Sequence, residues 1–218
     1  MRNHPPVIPA TAREKVVKRD ADGRKTQSDY FLKGEKVGYR CWDNDGTLTI
    51  EAAWRNGRLH GPFLAFHENG AVRWATRYVA GQEHGISRQF DKNGKLIGKY
   101  RMNHGTGLDL YFYDNGKLSE ERYIENGIPN GFERWWSGDG RTVWQESHFK
   151  DGLEHGIHRK WNFKGRLRRG YPKYFILGKA IPKRAYVKTC ETDSSLPKFR
   201  ERDTMPSRKL PTGVMDHQ

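Results

Sequence analysis

Residues 56–70 read Asn-Gly-Arg-Leu-His-Gly-Pro-Phe-Leu-Ala-Phe-His-Glu-Asn-Gly, with an aromatic, Phe66, four residues before the last glycine. The same spacing returns along the chain. Gly38, Gly61, Gly85, Gly107, Gly131 and Gly156 form one series; Gly46, Gly70, Gly94, Gly116, Gly140 and Gly165 follow it by nine residues, or by eight in the first unit. Gly34, Gly57 and Gly81 form a third, at intervals of 23 and 24. Self-similarity at such a period marks stacked supersecondary units. Six copies lie between about residues 34 and 170, with a partial copy from Asp22 to Gly34.

Asp45, Asn69, Asn93, Asn115 and Asp139 precede the second-named glycines, with Lys164 as the exception. Asn-Gly and Asp-Gly favour type I′ hairpin turns, so these dipeptides are expected to be hairpin tips, and the glycines 38 to 156 bends between hairpins. Four residues before each tip glycine stands an aromatic column: Trp42, Phe66, Phe90, Phe112, Trp136 and Trp161. One hairpin cannot bury its apolar face alone; stacked hairpins place column on column. The segment 103–107 shortens the fourth unit, and a kink or bulge is expected there.

These segments resemble the MORN repeat, and more closely its variant form in YwqK-family antitoxins; Ala80-Gly-Gln-Glu-His-Gly-Ile-Ser-Arg-Gln-Phe90 and Asp151-Gly-Leu-Glu-His-Gly-Ile-His-Arg-Lys-Trp161 fit it well. The resemblance covers about residues 23–170. It implies an all-β fold, an elongated single-layer antiparallel sheet of successive β-hairpins. It also implies a binding role, as a scaffold or an antitoxin, without fixing the partner.

Four segments follow: a mobile leader at 1–20, hairpin repeats at 21–170, a basic capping segment at 171–190 and an extended or disordered tail at 191–218. In the cap, Gly170–Ile176 reads as a strand, 177–179 as a turn, and Lys183–Thr189 as a helix with Pro182 at its first position. Tyr174, Phe175, Ile176, Tyr186 and Val187 are expected to close the sheet's end.

The chain has 218 residues, 40 Lys and Arg against 26 Asp and Glu, and a net charge of +14. The excess is concentrated: residues 166–190 carry eight basic residues and no acid, whereas 31–165 carry 20 and 17. Arg166, Arg168, Arg169, Lys173, Lys179, Lys183, Arg184 and Lys188 therefore form a candidate site for anionic lipid or nucleic acid. The plainer account is a solvated cap that blunts a sheet edge.

No apolar run reaches the length of a transmembrane helix, and residues 1–9 lack a signal-peptide core. With only Cys41 and Cys190, this points to a reducing, cytoplasmic compartment. No cofactor is expected. His60, His84 and His155 recur with the repeat, so they stand roughly 10 Å apart, too far to share a metal ion. They are expected to be structural. No nucleophile elbow or phosphate loop is present, so catalysis is not expected. Trp74, Arg73, Tyr111, Tyr113, Arg134, Trp135 and Trp144 lie off the main column. Exposed aromatics with arginine neighbours are what protein interfaces favour. The leading expectation is a non-catalytic module that binds another protein, such as a cognate toxin; the alternative is a polyanion bound through 166–190.

Overall fold

A computed structural model describes residues 6–200 and Thr204. The outermost parts of the leader and tail lie outside the described residues. The chain forms two compact units, 1–105 and 106–218. The first holds β1 (Arg13–Arg19), β2 (Lys25–Leu32), β3 (Glu35–Trp42), β4 (Leu48–Arg55), β5 (Arg58–Phe66), β6 (Val72–Val79), β7 (Gln82–Glu83), β8 (Gly85–Phe90) and β9 (Leu96–Asn103). The second holds β10 (Thr106–Phe112), β11 (Leu118–Glu125), β12 (Ile128–Trp136), β13 (Val143–Lys150), β14 (Leu153–Glu154), β15 (Gly156–Lys160), β16 (Lys173–Ile176), β17 (Lys179–Ile181) and α1 (Lys183–Thr189). Within each unit, strands pair antiparallel with their chain neighbours; β6 pairs with β7 and β8, and β13 with β14 and β15. The fold is the expected all-β succession of hairpins with a small C-terminal helix.

The turns differ from the expectation. Two consecutive residues at positive φ occur at Lys33-Gly34, Asn56-Gly57, Ala80-Gly81, His104-Gly105, Asn126-Gly127, Asp151-Gly152 and Leu177-Gly178. These are the tight two-residue turns. At Asp45-Gly46 and its equivalents only the glycine has positive φ. These loops are wider: Asp43 N–H donates to Thr47 O, and Gly46 N–H to Asp43 O. The Asp43 carboxylate also accepts from the Asp45 and Thr47 amides, an Asx-type closure. The wide loops at Gly46, Gly70, Gly94, Gly116 and Gly140 are each flanked by a register shift, as between Ala65 and Phe66. The glycines 38, 61 and 131 lie inside strands rather than at bends. The shortened fourth unit keeps a regular turn at His104-Gly105, with φ of 46° and 73°.

Alternation gives each unit two faces. In unit 1 one row runs Ser28, Arg40, Glu51, Leu64, Ala75, Arg88, Lys99, and the row beside it, on the opposite face, Gln27, Cys41, Ile50, Ala65, Trp74, Gln89, Gly98. In unit 2 the equivalents are Leu110, Glu121, Arg134, Glu146, Arg159 and Tyr111, Glu120, Trp135, Gln145, Lys160.

The leader and tail are engaged where described. Residues 13–19 form β1, and Ile8 is buried against Gly38, where a Cβ would lie 2.6 Å from both Ile8 Cγ1 and Ala52 O. In unit 2, Ile157, Tyr174, Tyr186 and Leu196 form one apolar cluster. Tyr186 donates its hydroxyl to Pro197 O at 2.6 Å, and Trp161 Nε1 donates to Thr204 O at 2.5 Å. The described part of the tail, 191–200, thus packs on β15, β16 and α1 through Leu196 and Pro197. The helix spans the expected residues, but Pro182 is its N-cap, Lys179 begins a strand, and Val187 is exposed.

Candidate binding surfaces

On the Trp74 face of unit 1 the rings pack on one another. Trp74 meets Phe63 at 5.6 Å, Phe63 meets Tyr78 at 5.7 Å, and Tyr39 meets Trp54 at 6.1 Å with Lys36 Nζ 4.3 Å above the indole. In unit 2 Trp135 and Trp144 lie 5.8 Å apart, Lys160 sits over Trp144, and Trp135 Nε1 donates to Glu133. Arg122 donates to Asp109 and to the Tyr111 hydroxyl. Trp74, Tyr111, Tyr113, Trp135 and Trp144 are half-buried, not fully exposed, while Arg73 is exposed. Mutual packing holds these rings in place, which lowers the entropy lost on contact with a partner.

Two residues expected at an interface are engaged inside the fold. Arg134 donates to Glu146 at 2.7 Å and Glu121 at 2.9 Å and stacks on Phe132 at 4.2 Å. Arg159 extends the row by donating to Glu146 at 2.6 Å. Burial pushes the Glu121 carboxyl above its ordinary range against the pull of Arg134. Tyr113 donates to Trp136 O at 2.5 Å, tying one wide loop to the next repeat, as His67 does with Phe90 O at 2.8 Å. This Arg–Glu row has no signature in one dimension, because its members stand a full strand apart and carry no local motif.

The recurring histidines have a comparable stitching role. His60 Nδ1 accepts the Ala80 amide at 3.3 Å, His84 Nδ1 the His104 amide at 3.2 Å, and His155 Nδ1 the Leu177 amide at 3.2 Å. Thr106 Oγ1 accepts the Asn126 amide in the same way. Each side chain caps the first residue of the next tight turn. Among the described residues no group of three His, Cys, Asp or Glu side chains is placed to hold a metal ion.

The column aromatics Phe66, Phe112, Trp136 and Trp161 are buried, and Trp42 and Phe90 half-buried. The eight cations of 166–190 are all exposed and lie on successive segments. Arg166, Arg168 and Arg169 lie in the loop before β16, Lys173 and Lys179 sit at opposite ends of the β16–β17 hairpin, and Lys183, Arg184 and Lys188 lie on α1. Lys173 stands over Tyr171 and Lys183 over Phe199. No helix among the described residues is long and apolar enough to cross a membrane.

Residues 83–104 and 106–127 each match the family model described as the MORN repeat variant. The chain thus carries MORN-type repeats in these segments, and the remaining units share their glycine spacing and turns. No curated protein matches the chain.

Proposed function

We propose that this chain is a non-catalytic binding module whose partner is another protein, in the manner of an antitoxin or immunity protein that masks its target. The observation that carries the reading is the Trp135–Trp144 pair at 5.8 Å, flanked by Lys160 and by Tyr111 with Arg122. Pre-positioned indoles and guanidinium groups are the residue types that dominate protein interfaces. Family membership of the repeat supports binding rather than chemistry, and a flat sheet face offers little of the enclosure a reaction site needs. The test is co-expression with the adjoining reading frame of the genome. Toxicity of that frame alone, relieved by this chain and not by its Trp135→Ala, Trp144→Ala variant, supports the reading. Relief that is unaffected by the double variant removes the aromatic face from it, and absence of toxicity removes the antitoxin role.

A second reading is favoured by the exposure of all eight cations between Arg166 and Lys188. In it, anionic lipid or nucleic acid binds the C-terminal cap. Its signature is binding that vanishes at moderate salt and in a Lys173→Ala, Lys179→Ala, Lys183→Ala, Arg184→Ala variant.

A further inference from the structure

The position two residues before each column aromatic is filled by Arg40, Leu64, Arg88, Leu110, Arg134 and Arg159. Three of these four arginines meet a carboxylate of the chain itself. Arg40 donates through Nε and Nη2 to Glu51, and Arg134 and Arg159 share Glu146. Arg88 has no such partner. Its neighbours across the row are Ala75 and Lys99. By alternation Arg77 and Arg101 lie on the same face. All four cations are exposed, and none has an ion pair among the described residues. Nearby acids are engaged elsewhere: Glu83 accepts from Thr76 and Ser87 on the other face, and Asp91 closes its own turn. Like charges directly opposite on a sheet are destabilising. An external anion would relieve this row as Glu51 relieves Arg40.

A groove adjoins the row. Ala75 stands where Glu51 and Glu146 stand in other units, and beside it lies a groove of about 490 Å³ lined by Leu64, Val72, Ala75 and Phe90 together with Lys92 and Asn93. Ala75 pairs directly with Arg88, so groove and cations are contiguous. Ile86, two residues before Arg88, is 37% exposed beside them.

We propose that this face of unit 1 docks an extended acidic segment of a partner protein. Carboxylates on one side of that segment meet Arg88, Lys99, Arg77 and Arg101, and a large apolar side chain fills the groove. Arg40–Glu51 shows the carboxylate geometry that this row position accepts. A nucleic-acid strand needs a run of rings on which bases stack, and Phe90 is the groove's one ring. The proposal shares with the reading above only a polypeptide partner, and it uses the face opposite Trp74.

The test is fluorescence anisotropy of the full chain with a fluorescein-labelled peptide of repeated Glu-Ser-Glu-Ser-Leu. Salt-sensitive binding is expected. Replacing Glu by Gln in the peptide should weaken it about tenfold or more. Lys99→Glu and Ala75→Glu each give Arg88 an internal carboxylate and should weaken it to a similar degree, while unfolding stays cooperative. Lys183→Ala with Arg184→Ala should leave it unchanged. Equal binding of the Glu and Gln peptides, or binding untouched by both Lys99→Glu and Ala75→Glu, overturns the proposal. Displacement of the peptide by oligothymidylate or phosphatidylserine vesicles at lower concentration than by unlabelled peptide also overturns it, in favour of a polyanion site. Loss of Trp135-dependent relief with peptide binding intact would remove only the earlier reading, and the converse only this one.

Discussion

Arg159 donates from Nη1 to Oε1 of Glu146 at 2.6 Å, with the two side chains 3% and 1% exposed. The other oxygen of that carboxylate accepts from Arg134 Nε at 2.7 Å. One negative charge thus lies between two guanidinium groups, with Glu121 on the far side of Arg134. Deleting one partner of a buried pair leaves the others uncompensated, which costs about 3–5 kcal/mol. Glu146→Gln should lower stability by that order in urea unfolding, while Glu191→Gln, on an exposed side chain, should change it by less than about 0.5 kcal/mol. A loss at Glu146 no larger than at Glu191 would show that the row contributes no stability.

His148 donates from Nδ1 to Ile157 O at 2.8 Å, and burial holds its pKa down at about 4, against 6.5 for an ordinary histidine. Glu146 pulls it upward, and Arg159 and Arg134 push it down. The folded state therefore favours the neutral ring. As pH falls through 6.5 the unfolded chain takes up a proton that the folded chain refuses, so stability is lost progressively down to pH about 4, where the loss levels off. The depression corresponds to a loss on the order of 3 kcal/mol at most. Glu120 acts in the opposite sense: burial raises it to about 6 from 4.5, so its contribution improves as pH falls from 6 to 4.5. Urea midpoints at pH 7 and pH 5 should show a fall in the native chain. His148→Asn, whose amide can replace the Nδ1 donor, should reduce that fall or reverse it. An unchanged fall would assign the acid sensitivity to other groups.

The repeat was legible because its turns demand glycine at fixed offsets and its column demands aromatics, both visible in one dimension. The turn types were not. Asn69-Gly70 and Asn56-Gly57 are the same dipeptide, yet only the second has both residues at positive φ. The difference lies in loop length: at Asn69-Gly70 the chain closes through His67 N–H to Ala71 O and Gly70 N–H to His67 O, with a register shift beside it. The charge ladder was hidden for a related reason. Glu121, Arg134 and Glu146 are separated by 13 and 12 residues and become neighbours only once strand register is known. For Arg88 the informative sign is a missing one, the absence of Glu at the facing positions 75 and 99. It has meaning only beside Arg40 and Glu51 in the folded row.

Ala80 occupies the first place of a tight turn with φ of 50°. Alanine is strained in the left-handed region, whereas Asn tolerates it. The amide that His60 accepts is retained on substitution. Ala80→Asn should raise stability by about 0.5–1 kcal/mol in urea unfolding. A neutral or destabilising result would show that the turn relaxes away from this geometry in solution.

Gly38 and Gly57 separate two reasons for glycine. At Gly57 a Cβ would meet nothing within 4 Å, and only its φ of 75° opposes a side chain. At Gly38 φ is ordinary, but a Cβ would fall 2.6 Å from Ala52 O and from Ile8 Cγ1. Alanine there must displace both the neighbouring strand and the segment that buries Ile8. Overpacking of this kind costs about 1–3 kcal/mol. Gly38→Ala should therefore lower the urea midpoint and increase proteolytic cleavage near Ile8, because the leader is levered off the sheet. Gly57→Ala should lower the midpoint through backbone strain alone and leave cleavage near Ile8 unchanged. If Gly38→Ala leaves that cleavage as slow as in the native chain, Ile8 does not hold the leader in place.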